Sequence, residues 1–381
     1  MNVTSAAIVA NPKVSGGAAR RTESITAVLE HLGARVEVIQ PSINRRRPPS
    51  PTELRLLAQG RIVPEALAWN VADVAHDLAL LGPEVIVLQT ARAVHPGLFD
   101  RLNQTGRHSQ PASTGTAPTV VLDLVDQLST SYRQRADQSN AATAKALRLL
   151  AASHERFEKN LRRWEWPALA AGYREAVALD VTWIPNVVKG FDDTPPARWA
   201  ERPFDVVFFG TLSYQPNVEA LDQLDRWVRE VNWSGSVLVA GRHPTAEVTQ
   251  LCRSNGWTVV ADFASTQWLA DQARLAIAPL RSTAGIQNKV LEAGQVGLAQ
   301  VVTTAAIAGM DPGIPLSGAD DAVSFFERID RLLGEPDEAD AQVRDMRHYL
   351  RTNLVAEAVA PRMQEILDHR GRQPSLNEGS L

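Results

Sequence analysis

The chain has 381 residues, 44% of them hydrophobic, and a net charge of −4, which is room for two ordinary domains and argues against a broad nucleic-acid footprint. Cys252 is the single cysteine, which excludes a disulfide framework or a cysteine metal cluster. With no basic-then-apolar leader and no apolar run near the ~20 residues of a membrane span, the expectation is a cytoplasmic, soluble, metal-free protein.

Taken in order, Ala6–Ala10 is a compact apolar strand. A turn, N-P-K-V-S-G-G-A-A-R-R, leads into a helix ending near His31, and Ala34–Gln40 is the next strand, so the chain opens as a βαβ unit. Gly16-Gly17 sits at the strand-to-helix turn without completing G-x-G-x-x-G. Its bland explanation is a tight turn requiring positive φ. Pro41–Thr52, with Arg45-Arg46-Arg47 and several prolines, is an exposed segment. Pro64–Leu81 reads as one amphipathic helix and Glu84–Gln89 as a third strand, followed by T-A-R-A-V-H-P. The carboxyl edge of such a sheet lines its ligand crevice, so His95 either touches a ligand or caps a backbone carbonyl.

Gln104–Pro118 has loop composition, and T-V-V-L-D-L-V-D-Q-L-S is a buried strand carrying Asp123 and Asp126. A spacing of three puts these carboxylates on opposite faces, so they are not a paired acid/base dyad. Asp126 leaves the strand at its carboxyl edge, where it or Ser129 could instead cap a helix. Ser139–Ala171 reads as one long helix, after which A-L-D-V-T-W passes quickly to I-P-N-V-V-K. Asp192–Pro203 has the composition of an interdomain linker.

Beyond it the pattern is regular. Strands at Phe204–Phe209, Ser236–Ala240, Thr258–Ala261 and Arg274–Leu280 alternate with helices at Asn217–Val231, Thr245–Asn255 and Thr266–Gln272. That alternation predicts a parallel, doubly wound sheet. Ser282–Gly285 is a loop of small residues. Asn288 is placed to cap a helix over Lys289–Val296, and Gln300–Thr304 is the next strand. The loop thus opens onto a helix N-terminus, whose N–H groups and partial positive charge suit a phosphate. Lys289 in that first turn opposes the helix dipole, a conflict that a bound anion removes. Glu292, about one turn on, is suited to a ribose diol. The last third is helical: Asp321–Leu333, Ala339–Asn353 and Val355–His369, the last kinked or divided at Pro361.

P-L-R-x-x-x-G-I-Q-N-K-V-L-E-A, followed by G-L-x-x-V-V-T-T, resembles the donor-site signature of family 4 (group 1) glycosyltransferases, in the branch carrying G-I-Q-N-K-V-L-E-A. The resemblance implies an α/β fold of the GT-B type, two Rossmann-like domains with parallel sheets facing across a cleft. Residues 1–190 would form the acceptor-side domain, completed by a C-terminal helix at 355–371. Residues 191–354 would bind the donor, and 372–381 would be a disordered tail. It implies transfer of a sugar from a nucleotide-diphosphate sugar, without a metal or further cofactor and with retention at the anomeric carbon. The acceptor would be a small molecule, a lipid-linked sugar or a polysaccharide, with at most peripheral membrane contact and no nucleic acid. The Arg45–Arg47 run would then either be solvated or touch an anionic lipid or phosphorylated acceptor.

By the same resemblance, F-F-G-T-L-S-Y-Q-P-N-V-E-A places Gly210, Thr211 and Asn217 beneath the donor diphosphate, Asn217 also being a good helix cap. Arg242 of V-A-G-R-H-P would bind diphosphate oxygens, and Asp262-Phe263 would cradle the base. Arg281, Gly285, Ile286, Gln287, Asn288 and Glu292 would complete the donor pocket, with Gly16 and Gly17 facing it from the other domain. Lys289, Asp126 and His95 are the candidate catalytic residues, and D-x-x-D-x-x-S (Asp123, Asp126, Ser129) would put Asp126 and Ser129 in the cleft.

The sequence departs from the pattern in four ways. Thr211 stands where distant members have Arg, and Ala284 where the first Glu of Glu-x7-Glu would fall. Gly294, Gln295 and Gln300 replace the usual Met, Ala and Pro. The pattern's further strand and helix are not read before P-N-V-V-K, where Asn186 is kept and Val187 and Lys189 replace Gly and Asp, so the N-terminal domain reads as trimmed. These departures keep a non-catalytic GT-B partner or activator of another transferase in view, and behind it an epimerase or hydrolase.

Overall fold

Eleven short strands, most of them apolar and buried, build two all-parallel sheets among the described residues. In the computed structural model these are residues 3–10, 17–43, 48–95, 97–98, 118–125, 127–137, 139–164, 167–191, 197–283 and 285–368. Gly16, the Arg45–Arg47 run, Asp126, Ala284, most of the Gln104–Pro118 loop and the C-terminal tail lie outside them. The chain divides into two units, residues 1–187 together with the segment from Val359, and residues 188–358.

The first unit contains β1 (Ser5–Val9), α1 (Gly17–His31), β2 (Arg35–Ile39), α2 (Pro51–Ala58), α3 (Val71–Leu81), β3 (Val85–Gln89) and β4 (Thr119–Asp123). It continues through α4 (Leu128–Asp137), α5 (Ala141–Trp164), β5 (Ala168–Ala170), α6 (Tyr173–Leu179) and β6 (Thr182–Trp183). The sheet order is β2-β1-β3-β4-β5-β6. Every residue of β3 is buried, as expected for a central parallel strand covered on both faces. Ile86, Leu88 and Leu122 pack with Phe157 of α5 in one apolar cluster, and each fully buried side chain of this kind contributes about 1.5–3 kcal/mol.

Two expected helices are broken up here. Pro64–Leu81 is a 3-10 turn over Pro64–Ala68, an extended Trp69 that bridges Ile43, and then α3. The long helix expected over Ser139–Ala171 ends at Trp164, because beyond Pro167 the buried residues Ala168–Ala170 pair with β4 as a strand. With α6 and β6 following, the strand and helix thought missing are present. The first unit is not trimmed.

The second unit contains β7 (Phe204–Thr211), α7 (Gln215–Val231), β8 (Val237–Arg242), α8 (Ala246–Ser254), β9 (Thr258–Ala261), α9 (Thr266–Gln272) and β10 (Ala273–Ala278). Then come α10 (Asn288–Val296), β11 (Ala299–Val302), α11 (Thr304–Ile307), α12 (Ala322–Gly334) and α13 (Pro336–Asn353). The sheet order is β11-β10-β7-β8-β9. Its direction reverses between β7 and β10, and the crevice outside the carboxyl ends at such a reversal is where open α/β sheets bind ligands. The chain then enters α14 (Ala356–Asp368), which runs through Pro361 as one helix and whose residues from Val359 belong to the first unit.

Candidate functional site

At the reversal point of the second sheet, β7 and β8 approach so closely that side chains are excluded. A Cβ on Gly241 would stand 1.7 Å from the Gly210 carbonyl oxygen. Gly210 itself has φ 149°, and its Cβ would meet Asn217 Nδ2 at 2.9 Å and Lys289 Nζ at 3.5 Å. Glycine is needed at both positions for these reasons.

Asn217 does not cap α7, which starts two residues earlier after Tyr214. It sits in the first turn with its amide turned inward. Nδ2 donates to the Thr211 carbonyl (2.8 Å) and Oδ1 accepts from Lys289 Nζ (2.7 Å). The Lys289 ammonium also lies 4.1 Å from the centre of the Phe208 ring, which is fully buried. Lys289 as a whole residue is half-buried, but its ammonium is enclosed. Burial pushes its pKa down to about 7, with Glu292 pulling weakly the other way. A neutral amide and a ring face thus hold a cation in the first turn of α10, and no carboxylate among the described residues forms an ion pair with it.

The loop before α10 is fixed from outside. Thr283 Oγ1 donates to the Ala305 carbonyl (2.8 Å), and Thr303 Oγ1 to that of Leu280 (2.7 Å). Gly285 has φ 65°, and a Cβ on Gly309 would come within 2.1 Å of its carbonyl oxygen. Ile286 is buried, Asn288 opens the helix rather than capping it, and Gln287 holds the cap position without a side-chain bond. Thr211 pairs in register with Arg242, an exposed residue at the same sheet edge. Asp262 (φ 53°) is exposed one strand further on, and Phe263 packs edge-on against Phe209 and flat against Trp268. The half-buried Glu292 and the exposed Arg281 complete the expected donor set on this unit.

The departures in α10 and β11 are absorbed by packing. A Cβ on Gly294 would stand 2.6 Å from Met346 Cγ of α13, so the glycine admits that methionine. Gln295 Nε2 donates to the carbonyls of Lys189 and Gly190. Gln300 exchanges two hydrogen bonds with the Gln342 amide (2.6 and 3.1 Å) and gives a third to the Val290 carbonyl (3.1 Å).

Candidates in the first unit fare differently. Gly17 opens α1, is exposed, lacks positive φ, and would place a Cβ within 4 Å of nothing. His95 is only 5% exposed; its Nε2 lies 3.1 Å from Glu53 Oε1 and its Nδ1 accepts the Gly97 N–H. The expected contact with a ligand, or with a backbone carbonyl, is replaced by this internal pairing. Ser129 is buried inside α4 and donates to Glu158 (2.5 Å) rather than facing outward. Asp123 is gripped by the fully buried Arg21 through Nε (2.8 Å) and Nη2 (2.9 Å), while Arg21 Nη1 holds the Ile184 carbonyl.

Phe208 was hidden in F-F-G, where it reads only as a strand residue. The outer braces Thr283, Thr303 and Gly309 leave no short motif, being set by contacts distant in sequence.

Residues 203–335 match the family model of Glycosyl transferases group 1. This segment is similar to a group 1 glycosyltransferase domain. It contains the Gly210 turn, Asn217, Arg242 and Lys289, so the candidate donor-side residues of the second unit lie within the matched region. No curated protein matches the chain in sequence. Around the domain, the whole chain is similar in fold to a glycosyltransferase from Rickettsia africae, at 12% identity and TM-score 0.61 over 97% of this chain and 98% of that one. Anabaena HepE, solved with UDP and glucose, gives 14% identity and TM-score 0.59 over 96% of this chain and 100% of its own. S. aureus TarM aligns with 79% of this chain at 10% identity and TM-score 0.55, and the aligned chain spans 59% of TarM. The fold is GT-B. Among the described residues no helix is long and apolar enough to cross a membrane.

Proposed function

We propose that the chain transfers a sugar from a nucleotide-diphosphate sugar to an acceptor, as a member of family 4 in its G-I-Q-N-K-V-L-E-A branch. The observation that carries this reading is Lys289, a buried ammonium held by an amide and a ring at the N-terminal turn of α10. An incoming diphosphate supplies the negative charge that restores its protonation. In the transfer step, Lys289, Arg242 and the helix N-terminus stabilise charge growing on the leaving nucleotide, which makes the reaction electrostatic and metal-independent. Glu292 holds the ribose, Asp262-Phe263 the base, and the anomeric configuration is retained. HepE, solved with UDP and glucose, supports a uridine donor by similarity of fold.

A second reading draws on His95. With that ring engaged by Glu53 and Gly97, the chain would be a non-catalytic partner or activator of another transferase, with little or no nucleotide binding.

Thermal-shift titration with UDP, GDP, dTDP and their sugars tests both. A ligand at one hundred times its Kd adds roughly 2.7 kcal/mol to stability. Stabilisation by one nucleotide, lost in Lys289→Ala and Glu292→Ala, supports the donor site and with it the transferase over the partner. Silence toward every nucleotide sinks the first reading.

A further inference from the structure

The first sheet has its own reversal point. From β1 the chain crosses to β2 on one side, whereas β3 is followed by β4 on the other. At the carboxyl end of β3 the chain makes a 3-10 turn, Ala91–Ala93, centred on Arg92. This arginine belongs to the T-A-R-A-V-H segment, whose histidine turned out to be internal.

Arg92 is held as though for presentation. Its Nη2 donates to the Tyr132 hydroxyl (2.9 Å) and its Nε lies 3.5 Å from Glu65 Oε1. Tyr132 donates in turn to Glu65 (2.5 Å), and both Glu65 oxygens lie within 3.2 Å of His154 Nε2. Tyr132 and His154 are buried, while Arg92 and Glu65 each keep 25% of the side chain exposed. Burial raises the Glu65 pKa, but His154 and then Tyr132 outweigh it and hold the carboxyl down to about 2, so it stays ionised. Among the described residues no hydrogen bond or ion pair engages Arg92 Nη1. The backbone beside it is strained: Thr90 (φ 73°) and Val125 (φ 60°), both β-branched, end or follow the adjacent strands β3 and β4 in left-handed conformations. Such strain persists where surrounding structure over-determines it, and it clusters at ligand sites.

We infer that Arg92, aligned by Tyr132 and Glu65, binds an oxyanion, a phosphate or a carboxylate, at the reversal point of the first sheet. If the transferase reading holds, that group belongs to the acceptor, making the acceptor an anionic molecule. Guanidinium suits this task because it is always charged and presents a fork matched to oxyanions, and Tyr132 and Glu65 fix that fork in advance.

The test is calorimetric titration of inorganic phosphate, glycerol 3-phosphate and acetate into the full-length Lys289→Ala chain, in which the donor-side cation is removed. One saturable site is expected. Its affinity should fall about tenfold or more in Lys289→Ala/Arg92→Gln, the loss of a charge-assisted hydrogen bond, and return in part with Lys at position 92. Tighter binding of the phosphates assigns a phosphate; tighter binding of acetate assigns a carboxylate. No binding by any of the three, or affinity unchanged by Arg92→Gln, overturns the inference. Should the Gln variant not fold, Tyr132→Phe and Arg92→Lys serve instead, and unchanged affinity in both is equally fatal. UDP-glucose titrated into Arg92→Gln separates the two claims. Donor binding without an Arg92-dependent anion site sinks this inference alone. An Arg92-dependent anion site in a chain that ignores every nucleotide sinks the transferase reading alone.

Discussion

The carboxyl edges of the two sheets share a topology and differ in how they treat charge. In the second unit, Lys289 faces an amide oxygen and the Phe208 ring, and burial moves its pKa down to about 7. In the first unit, Arg21 and His95 face the carboxylates of Asp123 and Glu53. One edge holds a cation on neutral partners, and the other pairs Arg21 with a carboxylate inside the fold. A charge neutralised internally and fully buried, as at Arg21, shapes the edge; a cation left with neutral partners, as at Lys289, is the one that the proposed donor diphosphate would neutralise.

That contrast can be broken most forcefully at Arg21. Both members of the Arg21–Asp123 pair are fully buried, so Arg21→Met leaves an uncompensated carboxylate and should cost about 3–5 kcal/mol in urea unfolding. Adding Asp123→Asn should return part of that loss. A single-mutant loss below about 1 kcal/mol would show the pair to be dispensable.

Lys289→Met should act in the opposite direction, raising the stability of the ligand-free chain near pH 6 by about 1–3 kcal/mol, because a buried charge is removed. The pH dependence follows from the sign of the shift. Lys289 has a folded pKa of about 7 against 10.5 for the free side chain, so the unfolded chain binds more protons between those values. Stability therefore rises with pH across that window, and the rise should vanish in Lys289→Met. UDP-glucose, binding the protonated form, should weaken as pH climbs above 7. An affinity flat from pH 6 to 9 would contradict this.

The smallest effect sharpens the comparison from the other side. Gly210 and Gly241 have backbone or side-chain atoms where a Cβ would go, whereas Gly17 has none. Gly17→Ala should change thermal stability by no more than about 0.5 kcal/mol.

The second unit was the more legible because strands and helices alternate at regular length, and because Gly210, Lys289 and Glu292 lie within short motifs whose spacing sets their geometry. Asn217 and Asn288 misled for a physical reason. Asparagine is a good cap, but only contacts distant in sequence reveal that Asn217 is needed by Lys289. In the first unit, β5 is only three residues, Ala-Leu-Ala, all buried and too short to carry a readable alternation, and only Pro167 marked the end of the helix before it. His95 and Ser129 have the composition of site residues, and their carboxylate partners, Glu53 and Glu158, lie about 40 and 30 positions away. No local pattern records such pairs.

The first unit is discontinuous: its closing segment begins at Val359, and Val359, Met363, Ile366 and Leu367 are buried. During synthesis, residues 1–187 must therefore wait for the whole of 188–358 to be made before their core can close, roughly ten to thirty seconds at ~5–20 residues per second. The second unit, continuous in sequence, can finish folding first. The nascent chain thus completes its second unit while the first is still open, and the first is the one exposed to chaperones and proteases in the interval.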